Sequence, residues 1–210
     1  MSRRVRPLAA TTALNRLSAF GCMMIACGCA SVDPPSTRHA SSTSDVTLKG
    51  FSGQPGMVLE TACVSSGPEM CFDATDNNCN GAIDEGCGVR TGVVQFSIAW
   101  SDPSADVDLL VTDPAGETAR VDRPTNLGLV KDRDCPSESE SCHGQNTENV
   151  YLGNRNAPRG RFRVLIRCVR AGNQPAPLAV RFGARLGQHS YALMLTLDGE
   201  GDQRQLLFTL

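Results

Sequence analysis

GVVQFSIAW, residues 92–100, decides the fold. Val94, Phe96, Ile98 and Trp100 fall on one side of an extended chain, and Gln95 and Ser97 fall on the other. That is the period-two pattern of a half-buried strand. The alternation returns at Val107, Leu109 and Val111, then at Phe162, Val164, Ile166 and Cys168, then at Leu178, Val180 and Phe182. Tyr191, Leu193, Leu195 and Leu197 follow, and Leu206, Phe208 and Leu210 close the series, with a shorter run at 150–152. Gly, Pro, Asn and Asp separate the runs, and no stretch carries a helical repeat. The chain is therefore expected to be mainly β, with residues 89–210 forming an antiparallel β-sandwich of about seven or eight strands. Residues 122–147 show no regular pattern and are expected to form a loop closed by a Cys135–Cys142 disulfide.

Upstream lies CFDATDNNCNGAIDEGC, residues 71–87. Between residues 51 and 87 stand six acids, Glu60, Glu69, Asp73, Asp76, Asp84 and Glu85, with no Lys or Arg. Carboxylates this dense repel one another unless a cation sits among them. Read from Asp76, side-chain oxygens occupy positions 1, 3 and 5 of a calcium loop, Gly81 takes position 6 and Ile83 the apolar position 8. Cys87 stands where the bidentate Glu belongs, so Glu85 or Asp73 must supply that ligand. The expected metal set is Asp73, Asp76, Asn78, Asn80, Asp84 and Glu85, holding Ca²⁺ at roughly 10⁻⁴–10⁻³ M. Copper suits the stretch less well: Cu(I) seeks thiolate or thioether and Cu(II) imidazole, and the stretch has no His. The competing reading is a stapled turn with no ion, its Asp and Asn serving as turn formers.

Residues 60–88 thus read as a small disulfide-stapled, calcium-loop-like module. Its Cys63, Cys71, Cys79 and Cys87 allow three connectivities, which the sequence leaves open. Cys168 falls on an apolar face, as a buried free thiol or as a partner of Cys63 across the two units.

Before the module, residues 30–59 are rich in Ser, Thr and Pro and are expected to be a disordered tether. Residues 1–29 resemble a bacterial lipoprotein signal: Arg3, Arg4 and Arg6, an apolar run, then GCMMIACGCA. Cys29 or Cys27 would carry the lipid; a cleaved signal without lipid is the alternative. Ten cysteines suit an oxidising, exported setting, and a net charge of −2 gives no reason to expect nucleic acid. The expected location is the bacterial cell envelope, as an outer-membrane lipoprotein held to the membrane by its lipid and meeting an envelope protein or glycan.

Asp106 and Asp108 share a strand face and, with Asp102 or Asn149, form a candidate second Ca²⁺ site; a solvated polar face is the alternative. Arg161, Arg163 and Arg167, with Arg181 and Arg185, suggest a basic strip for anionic polysaccharide or lipid, or a face with cross-strand acidic partners. The chain has no GxSxG, HExxH or Walker pattern, and Cys142 beside His143 is a poor nucleophile–base pair because neighbours in a strand point apart. Catalysis is not expected.

Two resemblances accompany these readings. EMCFDATDNNCNGAIDEGC resembles the metal-binding-motif repeat of bacterial surface proteins, sometimes labelled copper-binding, with Ala74 for its usual Gly and Asn78 for a usual Asp. WSDPSADVDLLVTDPAGE (100–117), ENVYL (148–152) and APRGRFRVLI (157–166) resemble the YfaP-type domain. That resemblance implies a β-sandwich in an envelope context and no established reaction.

Overall fold

A computed structural model describes residues 46–60, 63, 65–136, 142, 144–153 and 156–210, and among these described residues there are nine strands. They are β1 (Gly50–Ser52), β2 (Val94–Trp100), β3 (Asp106–Thr112), β4 (Leu129–Asp134), β5 (Thr147–Leu152), β6 (Arg161–Arg170), β7 (Leu178–Leu186), β8 (His189–Leu197) and β9 (Gln203–Thr209). The signal segment with Cys27 and Cys29, the tether up to residue 45, and His143 lie outside the described residues.

The strands form two antiparallel sheets, β1-β9-β6-β3 and β4-β5-β2-β7-β8. β2 is the centre of the larger sheet, with Phe96 opposite Val150 of β5 on one side and Ala184 of β7 on the other. The expected sandwich follows from the alternation, because every inward set meets the other sheet. Phe96 and Phe182 from the larger sheet meet Phe162 and Phe208 from the smaller, all fully buried. Phe96 and Phe208 have ring centroids 5.2 Å apart, and Phe182 and Phe208 5.8 Å. Offset aromatic packing of this kind adds about 0.5–1.5 kcal/mol per pair beyond area burial.

The structure departs from the sequence reading in three places. Residues 46–59, expected within the tether, belong to the sandwich: Val46 is in the core, β1 pairs with β9, and the Phe51 ring lies 5.2 Å from that of Phe208. The apolar spacing Val46, Leu48, Phe51 is diluted by Ser, Thr and Gly, so composition hid it. Strand β4 lies inside the segment expected to be irregular. Of its two inward positions Leu129 is apolar but the other is Lys131, 7% exposed, so hydrophobic alternation could not show it. Finally, Gln95 and Ser97, expected to face solvent, are completely buried. Something covers the outer face of the larger sheet.

Candidate metal centre

The cover is the module. Disulfides Cys63–Cys79 and Cys71–Cys87 interlace, each closing a sequence separation of 16 residues. Cys135–Cys142 forms as expected, while Cys168 is a buried free thiol and joins no bridge to the module. A segment this short cannot bury a core of its own, and two staples substitute for one. Ala74 and Ile83 turn inward, at 0% and 1% exposure, onto the larger sheet.

The fit is close. A Cβ on Gly183, in the middle of β7, would overlap the carbonyl oxygen of Ala74. Gly81 has φ +84°, and a Cβ there would stand 2.6 Å from the carbonyl oxygen of Gln188. Gly81 therefore serves both the turn and the approach of the β7–β8 hairpin. Gln95 Nε2 donates to the Ile83 carbonyl (3.1 Å) and to Asn149 Oδ1 (3.0 Å), and Ser190 Oγ donates to Asp76 Oδ2 (2.6 Å).

The six expected ligands divide into two groups. Asp84 is fully buried, and its Oδ1 and Oδ2 accept the backbone N–H groups of Asp73 (3.1 Å) and Ala74 (3.2 Å). Burial pushes its carboxyl up to about 6 against those hydrogen bonds. Asp73 accepts from the Thr75 N–H (3.0 Å) and from Asn77 Nδ2 (3.3 Å), and pairs with Arg181 at 3.4 Å. These two acids hold the loop together and do not join the others.

Asn78 and Asn80 gather on Glu85, while Asp76 is held by backbone N–H groups and by Ser190. Asp76 accepts from the N–H groups of Asn80 (3.1 Å) and Gly81 (2.9 Å); Asn78 Oδ1 accepts from Asn80 (3.0 Å) and Asn80 Oδ1 from Ala82 (2.8 Å). Glu85 Oε1 lies 2.6 Å from Asn78 Nδ2 and 2.5 Å from Asn80 Nδ2, while Glu85 Oε2 is buried with no hydrogen-bond partner. A carboxylate oxygen orphaned in this way costs about 1–3 kcal/mol or more. Asn78 and Asn80 turn their amide nitrogens to Glu85 and their oxygens to backbone N–H groups, so Asp76 and Glu85 are the two carboxylates this loop offers a hard cation. The four module cysteines are consumed in disulfides, which leaves them no thiolate for Cu(I).

Sequence reasoning missed the cations beneath the module. Arg181 reaches Asp73 from β7, and Arg185 lies in the field of Asp76 and Glu85, which works against the downward pull of burial on its guanidinium. Glu69, expected only as bulk charge, accepts the N–H groups of Asn77 (3.0 Å) and Asp84 (2.8 Å). The five-arginine strip does not exist as one surface: Arg161, Arg163 and Arg167 line β6 in one sheet, and Arg181 and Arg185 line β7 in the other. The glycine in the middle of a strand, Gly183, was the readable signal of a close backbone approach.

The second candidate site is also rearranged. Asp102 belongs to a different loop, where the Ser104 hydroxyl (2.6 Å) and N–H (2.9 Å) and the backbone of Gln174 and Asn173 hold its carboxyl down at about 2. Asn149 sits in the buried polar network with Gln95 and Ser97. Asp106 stays on β3 beside Asp108, outside the triad that forms instead: oxygens of Asp108, Asp134 and Glu148 lie within 4.8 Å of one another. This cluster already contains its cations. Lys131 Nζ pairs with Asp134 (2.6 Å) and Glu148 (2.9 Å), and Arg167 pairs with Asp108 at 2.5 Å. Comparison of the chain with protein-family models, with curated proteins and with solved structures finds no match.

Proposed function

We propose that this chain is a non-catalytic, exported protein of the bacterial cell envelope, lipid-anchored through Cys29 or Cys27. Its stapled module binds calcium as a clip on the outer face of the larger sheet, and its sandwich binds an envelope protein or glycan. The observation that carries the calcium reading is the buried Glu85 Oε2 left without a hydrogen-bond partner in a loop whose Asn78 and Asn80 already hold Oε1. Asp76 and Glu85 would bring the two charges that balance Ca²⁺. The resemblance to the metal-binding-motif repeat supports the same residues. Three disulfides favour an oxidising compartment. Cys142, whose sulfur is bonded to Cys135, offers no nucleophile.

Titration of the purified chain with Ca²⁺ and Cu²⁺ tests this reading. Ca²⁺ is expected to bind with Kd of about 10⁻⁴–10⁻³ M. At 10–100 times Kd it should raise unfolding free energy by about 1.4–2.7 kcal/mol, and Glu85→Gln should remove that gain. Micromolar Cu²⁺ binding with no response to Ca²⁺ would favour the alternative, a copper-handling surface protein.

A further inference from the structure

The connection from β3 to β4, residues 113–128, holds a cleft of 380 Å³ lined by Glu117, Thr118, Arg120, Arg123, Thr125 and Asn126, with Pro124 on one wall. That volume is at the lower end of small-molecule sites. Its walls are fixed from several directions. The connection first turns back on β3, with the Ala119 N–H donating to the Val111 carbonyl (3.0 Å) and Thr118 Oγ1 2.9 Å from Thr112 Oγ1. It is then clamped across the cleft, since Asn126 donates its N–H (2.6 Å) and Nδ2 (2.7 Å) to the Glu117 carboxylate. Thr125, 7% exposed, accepts the Leu129 N–H at 3.1 Å.

Within these walls the charges are unequally satisfied. Both Glu117 oxygens already accept hydrogen bonds. Arg120 and Arg123 are exposed, and among the described residues no ion pair or hydrogen bond engages either guanidinium. A third guanidinium, on Arg163, stands behind the wall, 3.5 Å from Thr112 Oγ1. Two free planar forks of five N–H donors each match the oxygens of a carboxylate or phosphate. The remaining lining is different in kind: the Thr118 and Thr125 hydroxyls, the Asn126 amide and the spare lone pairs of Glu117 suit the hydroxyls of a ring. The Glu117 charge would repel a compact inorganic anion filling the cleft.

We propose that this cleft binds an anionic sugar, a uronate residue at the end of or within a polysaccharide, with Arg120 and Arg123 on its carboxylate and Glu117, Thr118 and Asn126 on its hydroxyls. The proposal rests on the reading of the sandwich as a binding domain and is independent of the calcium clip.

Calorimetric titration of the full chain with glucuronate, glucose and inorganic phosphate tests it, beside Arg120→Ala and Arg123→Ala. Both side chains are exposed, so the variants should melt as the parent does. Glucuronate should bind in preference to glucose and phosphate, and each variant should weaken it by about tenfold or more, as loss of a charge-assisted hydrogen bond requires. No glucuronate binding, or binding untouched in both variants, overturns the site. Phosphate binding as tightly as glucuronate overturns the assignment to a sugar.

Discussion

Lys131→Met is expected to cost about 3–5 kcal/mol of unfolding free energy at pH 8, the range for removing one partner from a buried ion pair. Lys131 and Glu148 have side chains 8% and 1% exposed, and Asp134 is the third member. Burial pulls the Lys131 ammonium down, but Glu148 and Asp134 together hold it above its ordinary value. Glu148 also accepts the Leu109 N–H at 2.5 Å, so one carboxyl ties β5 to the edge of the opposite sheet. Burial raises the Glu148 carboxyl well above 4.5, while its hydrogen bond helps hold Asp134 below the usual carboxylate range.

A native carboxyl raised above its unfolded value binds a proton that the unfolded chain releases, so its contribution to stability falls as pH rises from 4.5 through the raised value. Lys131→Met should therefore cost less at pH 5 than at pH 8, because Glu148 can take a proton in place of the lost ammonium. Lys131→Met with Glu148→Leu should recover much of the loss. Urea denaturation at the two pH values measures all three effects. An equal cost for the single variant at both pH values would show that Glu148 does not titrate with the lysine.

Cys71→Ser with Cys87→Ser is expected to destabilise the module by about 3 kcal/mol, the loop-closure value for a ring of this length. The remaining Cys63–Cys79 bridge spans the other half of the interlaced pair. The loss should fall on the docked layer and leave the sandwich standing, since the four-phenylalanine cluster lies on the opposite side of the larger sheet. Strands β6 and β9 of the other sheet should keep their hydrogen-exchange protection while that of residues 71–87 is lost. Simultaneous loss of both signals would mean that module and sandwich unfold as one unit.

The two sheets were legible because their inward positions are apolar and evenly spaced, as at Val94, Phe96 and Ile98. Strand β4 was not, since only Leu129 of its inward pair is apolar, and Lys131, the other, is neutralised by residues 3 and 17 places further along the chain. Cysteine positions were legible and their pairing was not, because four thiols satisfy spacing in three ways. Chain spacing grouped Asn78, Asn80 and Glu85, and their side chains do meet. It could not show that Asp84 and Asp73 point to backbone N–H groups and Arg181.

The docking was the least visible feature. Gln95 and Ser97 have the composition of a solvent face, and their burial depends on the module folding back over the sheet whose strand β2 it precedes. The same contacts revise the electrostatics, as the acids that lack local cations find Arg181 and Arg185 on β7.

The central claim is that the stapled module is a third layer on the larger sheet and not a clip on a flexible stalk. Ser97→Cys tests it directly, because the position is nearly isosteric and completely buried by that layer. The account predicts that a thiol reagent modifies Cys introduced there on the order of 100-fold more slowly than an exposed thiol, matching an opening free energy of about 2.7 kcal/mol. Removing the Cys71–Cys87 bridge should bring most of that rate back. Modification of the intact protein at the rate of an exposed thiol would contradict the account.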